Sequence, residues 1–272
     1  MKKQHTFLLV SVLGLIAMPI MLSGCQKSNT SSTLSEEEPL RTIVVSEGTE
    51  KDSVHIEFDV PNLPDASVNQ AIMEQLNETL GGLYEGDYAD ADSMVRFYVK
   101  LYMGEMKEMR DDFDAEMGFE RSVSVKRGYE TAKLVTFDVQ YYEFNGGAHG
   151  GTSYNGLSFR KSDGRQMGKN VLSHYGNVDW NNIAKEGLME YFEVKTEEEL
   201  KDCLMDVEMY MIPLPQTEPS FQENGLVFTY QQYEIAAYAA GMPSFVIPYD
   251  KLNEYLNATG RKLLTKDCGL AE

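Results

Sequence analysis

The chain has 272 residues, with 24 basic against 43 acidic side chains and a formal charge of −19. So acidic a chain is a poor match for nucleic acid, which needs basic patches, or for general adsorption to anionic lipid heads. It suits a solvated body whose charged partners, if any, are cationic.

The amino terminus reads as an export signal. Lys2 and Lys3 precede an apolar run from Phe7 to Met21, followed by Leu22, Ser23, Gly24 and Cys25. A basic start, an apolar core and small residues before a cut form a secretory pattern, and the core is short for a spanning helix. The Leu22-Ser23-Gly24-Cys25 tetrad resembles the lipobox of bacterial lipoproteins. That resemblance implies cleavage after Gly24, lipid on the Cys25 sulfur and acylation of the new amine, and several acyl chains together anchor stably. Residues 1–24 are therefore expected to be a lipoprotein signal peptide. Their loss removes two lysines and no acids, taking the charge from −19 to −21. Residues 25–40 are polar, with Glu36, Glu37 and Glu38 near their end, and read as a flexible tether. Localisation is expected to be the cell envelope, outside the cytoplasm. Gln26 after the lipidated cysteine gives a mild preference for an outer membrane where the cell has one.

The body begins with a short apolar run at Thr42–Val45. Val54, Ile56, Phe58 and Val60 then alternate, predicting a strand over 53–60 that Pro61 and Pro64 stop. Asp65 is a plausible cap for a helix carrying Val68, Ala71, Ile72, Leu76 and Leu80, which ends at Gly81-Gly82. A second helix is predicted from Ala91 to Arg110, its Met and Tyr stripe read as core packing. Residues 119–160 read as an antiparallel meander. Ser122–Val125 is a strand, Arg127–Glu130 a turn, and Val135, Phe137, Val139 and Tyr141 share one face of a long strand. The glycine-rich loop Asn145–Gly151 reverses the chain into Tyr154–Phe159, and Ser162-Asp163-Gly164 turns again. A helix follows at Val178–Phe192, and Thr196 with Glu199 forms a capping box. Pro213, Pro215 and Pro219 mark a loop. Asn224-Gly225 signals a hairpin, Ser244–Ile247 a last strand, and Pro248 opens a helix with Leu252, Tyr255 and Leu256. Strands and helices come in blocks, which predicts an α+β fold with a largely antiparallel sheet and two sequential α+β segments, 41–160 and 161–257, before a tail at 258–272.

Little in the sequence signals catalysis. No GxSxG, Walker A or HExxH spacing occurs, and no cofactor is expected. His149 in its glycine loop could serve as a base or metal ligand. The favoured reading is a tight hairpin whose imidazole bonds a nearby carbonyl, since His55 and His174 carry no ligand spacing toward it and no metal site is assigned. With Cys25 given to lipid, Cys203 and Cys268 remain as a possible disulfide that geometry alone decides.

Two segments together resemble a known family. The first is Asn145-Gly146-Gly147-Ala148-His149-Gly150 after Tyr141-Tyr142-Glu143-Phe144. The second is Gly225–Phe228, then Tyr233-Glu234-Ile235-Ala236-Ala237-Tyr238-Ala239-Ala240-Gly241, then Val246-Ile247-Pro248-Tyr249. Their order and spacing resemble the extracytoplasmic module of RsiV-like anti-sigma factors, which also precedes the catalytic domain of PdaC-like peptidoglycan deacetylases. The resemblance implies a PdaC-like segment over 41–160 and an RsiV-like segment over 161–257. It implies an envelope binding module more than an enzyme, with lysozyme, another envelope protein or a peptidoglycan fragment as partner. The candidate contact residues are Asn145, Gly146, Gly147, His149 and Gly150 in one loop and Tyr233, Glu234, Tyr238 and Gly241 in the other. The plainer alternative is that the second loop only shapes a cover over the core. Two rival functions stand beside this one: a His149-centred hydrolase or metal enzyme acting on cell wall, and an envelope scaffold.

Overall fold

The computed structural model describes residues 39–113 and 117–264. The expected signal peptide, most of the tether, Cys25 and Cys268 lie outside them. Among the described residues, no helix is long and apolar enough to cross a membrane.

The first half builds one sheet. Strands β1 (Thr42–Gly48) and β2 (Ser53–Asp59) form a hairpin. Helices α1 (Ala66–Thr79) and α2 (Ala91–Phe113) then carry the chain across to β3 (Glu120–Glu130), which lies parallel to β2. Strands β4 (Leu134–Phe144), β5 (Gly151–Arg160) and the two-residue β6 (Gln166–Met167) follow in antiparallel order, giving β1-β2-β3-β4-β5-β6. The alternation read from the sequence decides which side is buried. Val54, Ile56 and Phe58, Val123 and Val125, and Val135, Phe137 and Val139 face one way and pack on Ile72, Leu76, Met94 and Tyr98 of the two helices. Asp65 caps α1 by accepting from the Ser67 amide at 2.9 Å.

Residues 127–130, predicted as a turn, instead continue β3 through a bulge, and the chain reverses at 131–133. The extension is held by Asp59, whose carboxylate accepts the Arg127 amide at 2.9 Å, so the ladder persists past the point where local composition suggested a stop.

The second half adds α3 (Val178–Tyr191), α4 (Glu197–Cys203), and a small antiparallel sheet of β7 (Ser220–Gln222), β8 (Gly225–Thr229) and β9 (Ser244–Ile247). The Asn224-Gly225 hairpin closes β7 on β8, pairing Phe221 with Leu226. Trp180, Ala184 and Leu188 of α3 bury against Phe228 and Phe245. The short helix α5 (Tyr249–Leu252) then leads to α6 (Ala258–Leu264). The expectation of a tail from residue 258 is corrected over this stretch. Residues 258–264 form about two turns of helix, because Leu263 and Leu264 bury in the second core.

The two cores meet at the long sheet. Leu134 and Thr136 of β4 face away from α1 and α2, toward the second core. Thr136 Oγ1 donates to the Phe221 carbonyl at 2.8 Å, and the Phe221 amide donates to Ser158 Oγ at 2.9 Å. These buried hydroxyls satisfy the backbone of β7 where it crosses the sheet, a place where an unpaired amide would be costly. The architecture is α+β with a mostly antiparallel sheet, as the block order of elements implied.

Candidate functional site

The glycine loop and the tyrosine loop, far apart in sequence, lie side by side. Gly146 and Gly147 have φ of 83° and 97°, a left-handed pair that the reversal between β4 and β5 requires. Gly150 lets the Tyr142 ring pass against the backbone, where a Cβ would collide with it. His149 stands between them with its ring exposed and stacked on Tyr238, centroids 3.8 Å apart at 20°.

Hydrogen bonds order this stack. His149 Nδ1 lies 3.0 Å from the Gly150 carbonyl and Nε2 lies 3.3 Å from the Tyr233 hydroxyl. One tautomer satisfies both contacts, with Nδ1–H donating to the carbonyl and Nε2 accepting from Tyr233. The Tyr238 hydroxyl also donates to the Gly150 carbonyl, at 3.0 Å. The nearby carbonyl expected to engage this imidazole is thus its neighbour's own.

Side chains from the tyrosine loop replace a missing strand. Beyond its short pairing with β6, β5 has an open edge. There Gln232 Oε1 accepts the Thr152 amide at 2.8 Å, while Gln231 accepts the Tyr154 amide at 2.9 Å and donates to its carbonyl at 2.8 Å. The two amides blunt an edge that would otherwise recruit another strand. Glu234 braces the same loop from within, its carboxylate taking the Gln216 and Gln231 amides at 2.7 Å each. Gly241 ends the loop at φ 71°, next to a carbonyl of Ala240 that accepts from the Tyr191 hydroxyl. Tyr233 is the unusual member. It is 54% exposed and sits at φ 65°, a conformation costing an ordinary L-residue about 1–2 kcal/mol. Strain of this kind, on an exposed aromatic, is often retained for binding.

Together these groups line an open cavity of about 340 Å³ on the sheet end, bounded by Tyr141, Glu143, His149, Gln232, Tyr233 and Tyr238. Tyr141 and Ser153 also line a neighbouring cavity of about 320 Å³, which reaches Tyr102, Glu105 and Arg121. Arg121 is only 8% exposed, lies over the Tyr102 ring at 5.2 Å, and is ion-paired with Glu105. Its Nε is 4.0 Å from Glu143 and makes no hydrogen bond among the described residues. Glu143 in turn accepts from Asn145 at 3.0 Å. Burial pushes the Tyr141 phenol up to about 12, with Glu143 and Glu105 adding to the shift and Arg121 opposing it. The groove and its neighbour therefore offer aromatic faces and phenol hydroxyls beside Glu143, Glu105 and the buried Arg121.

Of the predicted residues, Asn145, His149, Gly150, Tyr233 and Tyr238 converge here, while Glu234 and Gly241 support the loop. Arg121, Tyr141, Glu143, Gln231 and Gln232 were not anticipated. Arg121 had one available signal, since it occupies the buried parity of a strand whose next two members are Val123 and Val125. His55 pairs instead with Ser46 on β1, and among the described residues no cluster of three His, Cys, Asp or Glu could hold a metal. Cys203 closes α4 with its thiol toward the Glu199 carbonyl at 3.4 Å, and its suggested partner Cys268 is outside the described residues.

Comparison with known proteins matches each half separately. Residues 47–152 match a family described as Deacetylase PdaC, and residues 180–250 match a family described as a protein of unknown function, DUF3298. A DUF3298 family structure from Bacteroides fragilis superposes with a TM-score of 0.67 at 18% identity, covering 83% of this chain and 95% of that one. Another from Pseudomonas aeruginosa gives 0.55 at 16% identity, covering 82% and 96%. No curated protein matches. At such identities the structures speak for the fold alone. The glycine loop falls within the first matched segment and the tyrosine loop within the second, so the groove is made where the two meet. The chain carries a two-segment cell-envelope module, a PdaC-type segment followed by an RsiV-type DUF3298 segment.

Proposed function

We propose that this protein is a lipid-anchored envelope binding module that takes a protein or peptidoglycan-derived partner in the groove between its glycine and tyrosine loops. The observation that carries the reading is the convergence of His149, Tyr233 and Tyr238, ending in an exposed tyrosine held in a strained conformation. Exposed tyrosines of this kind anchor interfaces, because they bury much area for little lost rotamer freedom. Glu143 lining the groove, on a body of charge −21 without its signal, favours a cationic partner surface. Lysozyme, which is basic, is the first candidate.

Calorimetric titration with lysozyme tests this. Saturable binding is expected at low salt, weakening as salt rises. Tyr233→Ala should cost about 2 kcal/mol, roughly thirty-fold in Kd, without lowering the melting temperature. Equal binding by wild type and Tyr233→Ala would remove the groove from the reading. No binding to lysozyme or to muropeptides would remove the reading itself. Anchoring is tested separately. Cells fed labelled palmitate should label the wild-type chain and not Cys25→Ala, and label in both would refute lipid on that sulfur.

A further inference from the structure

The long sheet has two ends, and they are finished differently. At β5 the side-chain amides of Gln231 and Gln232 take up the exposed backbone groups. At the other end, β1 has β2 as its one strand neighbour among the described residues. The Val60 amide donates to the Arg41 carbonyl at 2.8 Å, and the Thr49 amide to the Asp52 carbonyl at 2.8 Å. In an antiparallel ladder that parity turns the backbone groups of Ile43, Val45 and Glu47 toward β2, and those of Thr42, Val44 and Ser46 outward. Natural edges are blunted by proline, lysine, a bulge or a very short strand. β1 has seven residues, no proline and no lysine, and its register runs unbroken from Thr42 to Gly48.

The side chains of this edge suit a second copy of it. Ile43 and Val45 pack on the helix side, whereas Val44 points to the opposite face and is 58% exposed. Two β1 strands laid antiparallel about Val44 place Val44 on Val44, Thr42 on Ser46 and Ile43 on Val45. The first two kinds of pair join residues whose amides and carbonyls point outward, so each exchanges two backbone bonds. Arg41, which lies against Asp92 of its own chain, falls opposite Glu47 of the second copy. Opposite charges therefore meet at both ends of the ladder, where like charges would push the strands apart.

We propose that the free edge of β1 is a self-association surface, on which a second copy of this chain adds its own β1, antiparallel and centred on Val44. The backbone supplies the bonds, and the two Val44 side chains close an apolar contact on the face away from the helices. The loop groove takes no part, so the contact stands whether or not that groove binds a partner. Two bodies of charge −19 repel each other, and association strengthens as salt screens them. That is the reverse of the salt dependence expected for a basic partner.

Disulfide cross-linking of the purified full chain in oxidised glutathione reads the register. In this pairing the two Val44 Cα atoms lie about 5.5 Å apart, within disulfide range, and the two Thr42 Cα atoms about 14 Å apart, outside it. Val44→Cys should give a reducible dimer, at least about ten-fold above the wild-type background set by the native cysteines. Thr42→Cys should stay at that background, and Thr42→Cys combined with Ser46→Cys should link again. Sedimentation of the wild-type chain should show a monomer–dimer equilibrium that moves toward dimer with salt. Val44→Pro removes an outward amide and no bond to β2, and should abolish the dimer. Val44→Lys should abolish it too, and covers the case in which proline disturbs the fold. Equal linking of Val44→Cys and Thr42→Cys, or a wild-type chain that stays monomeric at every salt concentration, overturns the proposal.

Discussion

Raising the pH beyond the ordinary phenol range should unfold this protein in a single steep step. Burial is the largest cause holding the phenols of Tyr98, Tyr102, Tyr154, Tyr175 and Tyr230 above their usual value, and it pushes Tyr141 up to about 12. Carboxylates add to this, Asp138 at Tyr154 and Glu234 at Tyr230. Five of these hydroxyls donate to an internal acceptor: Tyr98 to Asn77 at 2.6 Å, Tyr102 to the Leu80 carbonyl at 3.0 Å, Tyr141 to Glu143 at 3.4 Å, Tyr154 to Asp138 at 2.5 Å, and Tyr230 to the Pro213 carbonyl at 2.9 Å. Ionisation would abolish each donation.

The sign follows from which state loses its proton first. The unfolded chain ionises its tyrosines near pH 10, the folded chain only higher, so above pH 10 the unfolded state binds fewer protons and stability falls as pH rises. Within that window each such group removes about 1.4 kcal/mol per pH unit, less where water reaches the ring. Spread over this set, one unit is worth on the order of 5 kcal/mol, a large part of a domain's usual 5–15 kcal/mol. Tyrosinate absorbance and far-ultraviolet ellipticity recorded together should change in one coincident step. Full ionisation with ellipticity preserved would show that these phenols are not held back by the fold.

Truncating Trp180 should have the largest effect of any single side-chain deletion. It is the only tryptophan, 1% exposed, and packs on Phe228 at 5.7 Å, Tyr255 at 5.4 Å and Tyr175 at 5.1 Å between ring centroids. Its Nε1 donates to the Ser173 carbonyl at 3.3 Å. Trp180→Ala removes contacts to three rings, opens a cavity in the second core and orphans a carbonyl, which together cost about 3–5 kcal/mol. Denaturant unfolding followed by circular dichroism should show a midpoint shift of that size. A shift below about 1 kcal/mol would mean that the second core collapses around the gap. Trp180→Phe should lose less, since most of the ring contact remains.

What could be read ahead of the structure divides along a physical line. Periodic burial is a local property, and it located the strand at 53–60, both long helices, the shared face of Val135, Phe137 and Val139, and the Asn224-Gly225 hairpin. Caps were legible for the same reason. Asp65, and Thr196 with Glu199, satisfy amides within three residues of themselves. The bulged continuation of β3 was not legible, because Asp59 holds it from another strand. Nor was α6, whose two buried leucines gain their worth only from a core assembled elsewhere.

The candidate site divides in the same way. The residues Asn145–Gly151 and Tyr233–Gly241 stand out by composition, and glycine content and aromatic spacing are visible in one dimension. Their meeting is not. It depends on Gln231 and Gln232 bonding to the edge of β5, contacts some eighty residues apart that no local pattern encodes. The sequence by itself determined the element types, the buried faces and the acidic character of the body, since each is set by a residue and its near neighbours. Only the tertiary structure decided which loops share a groove, because their meeting depends on long-range packing.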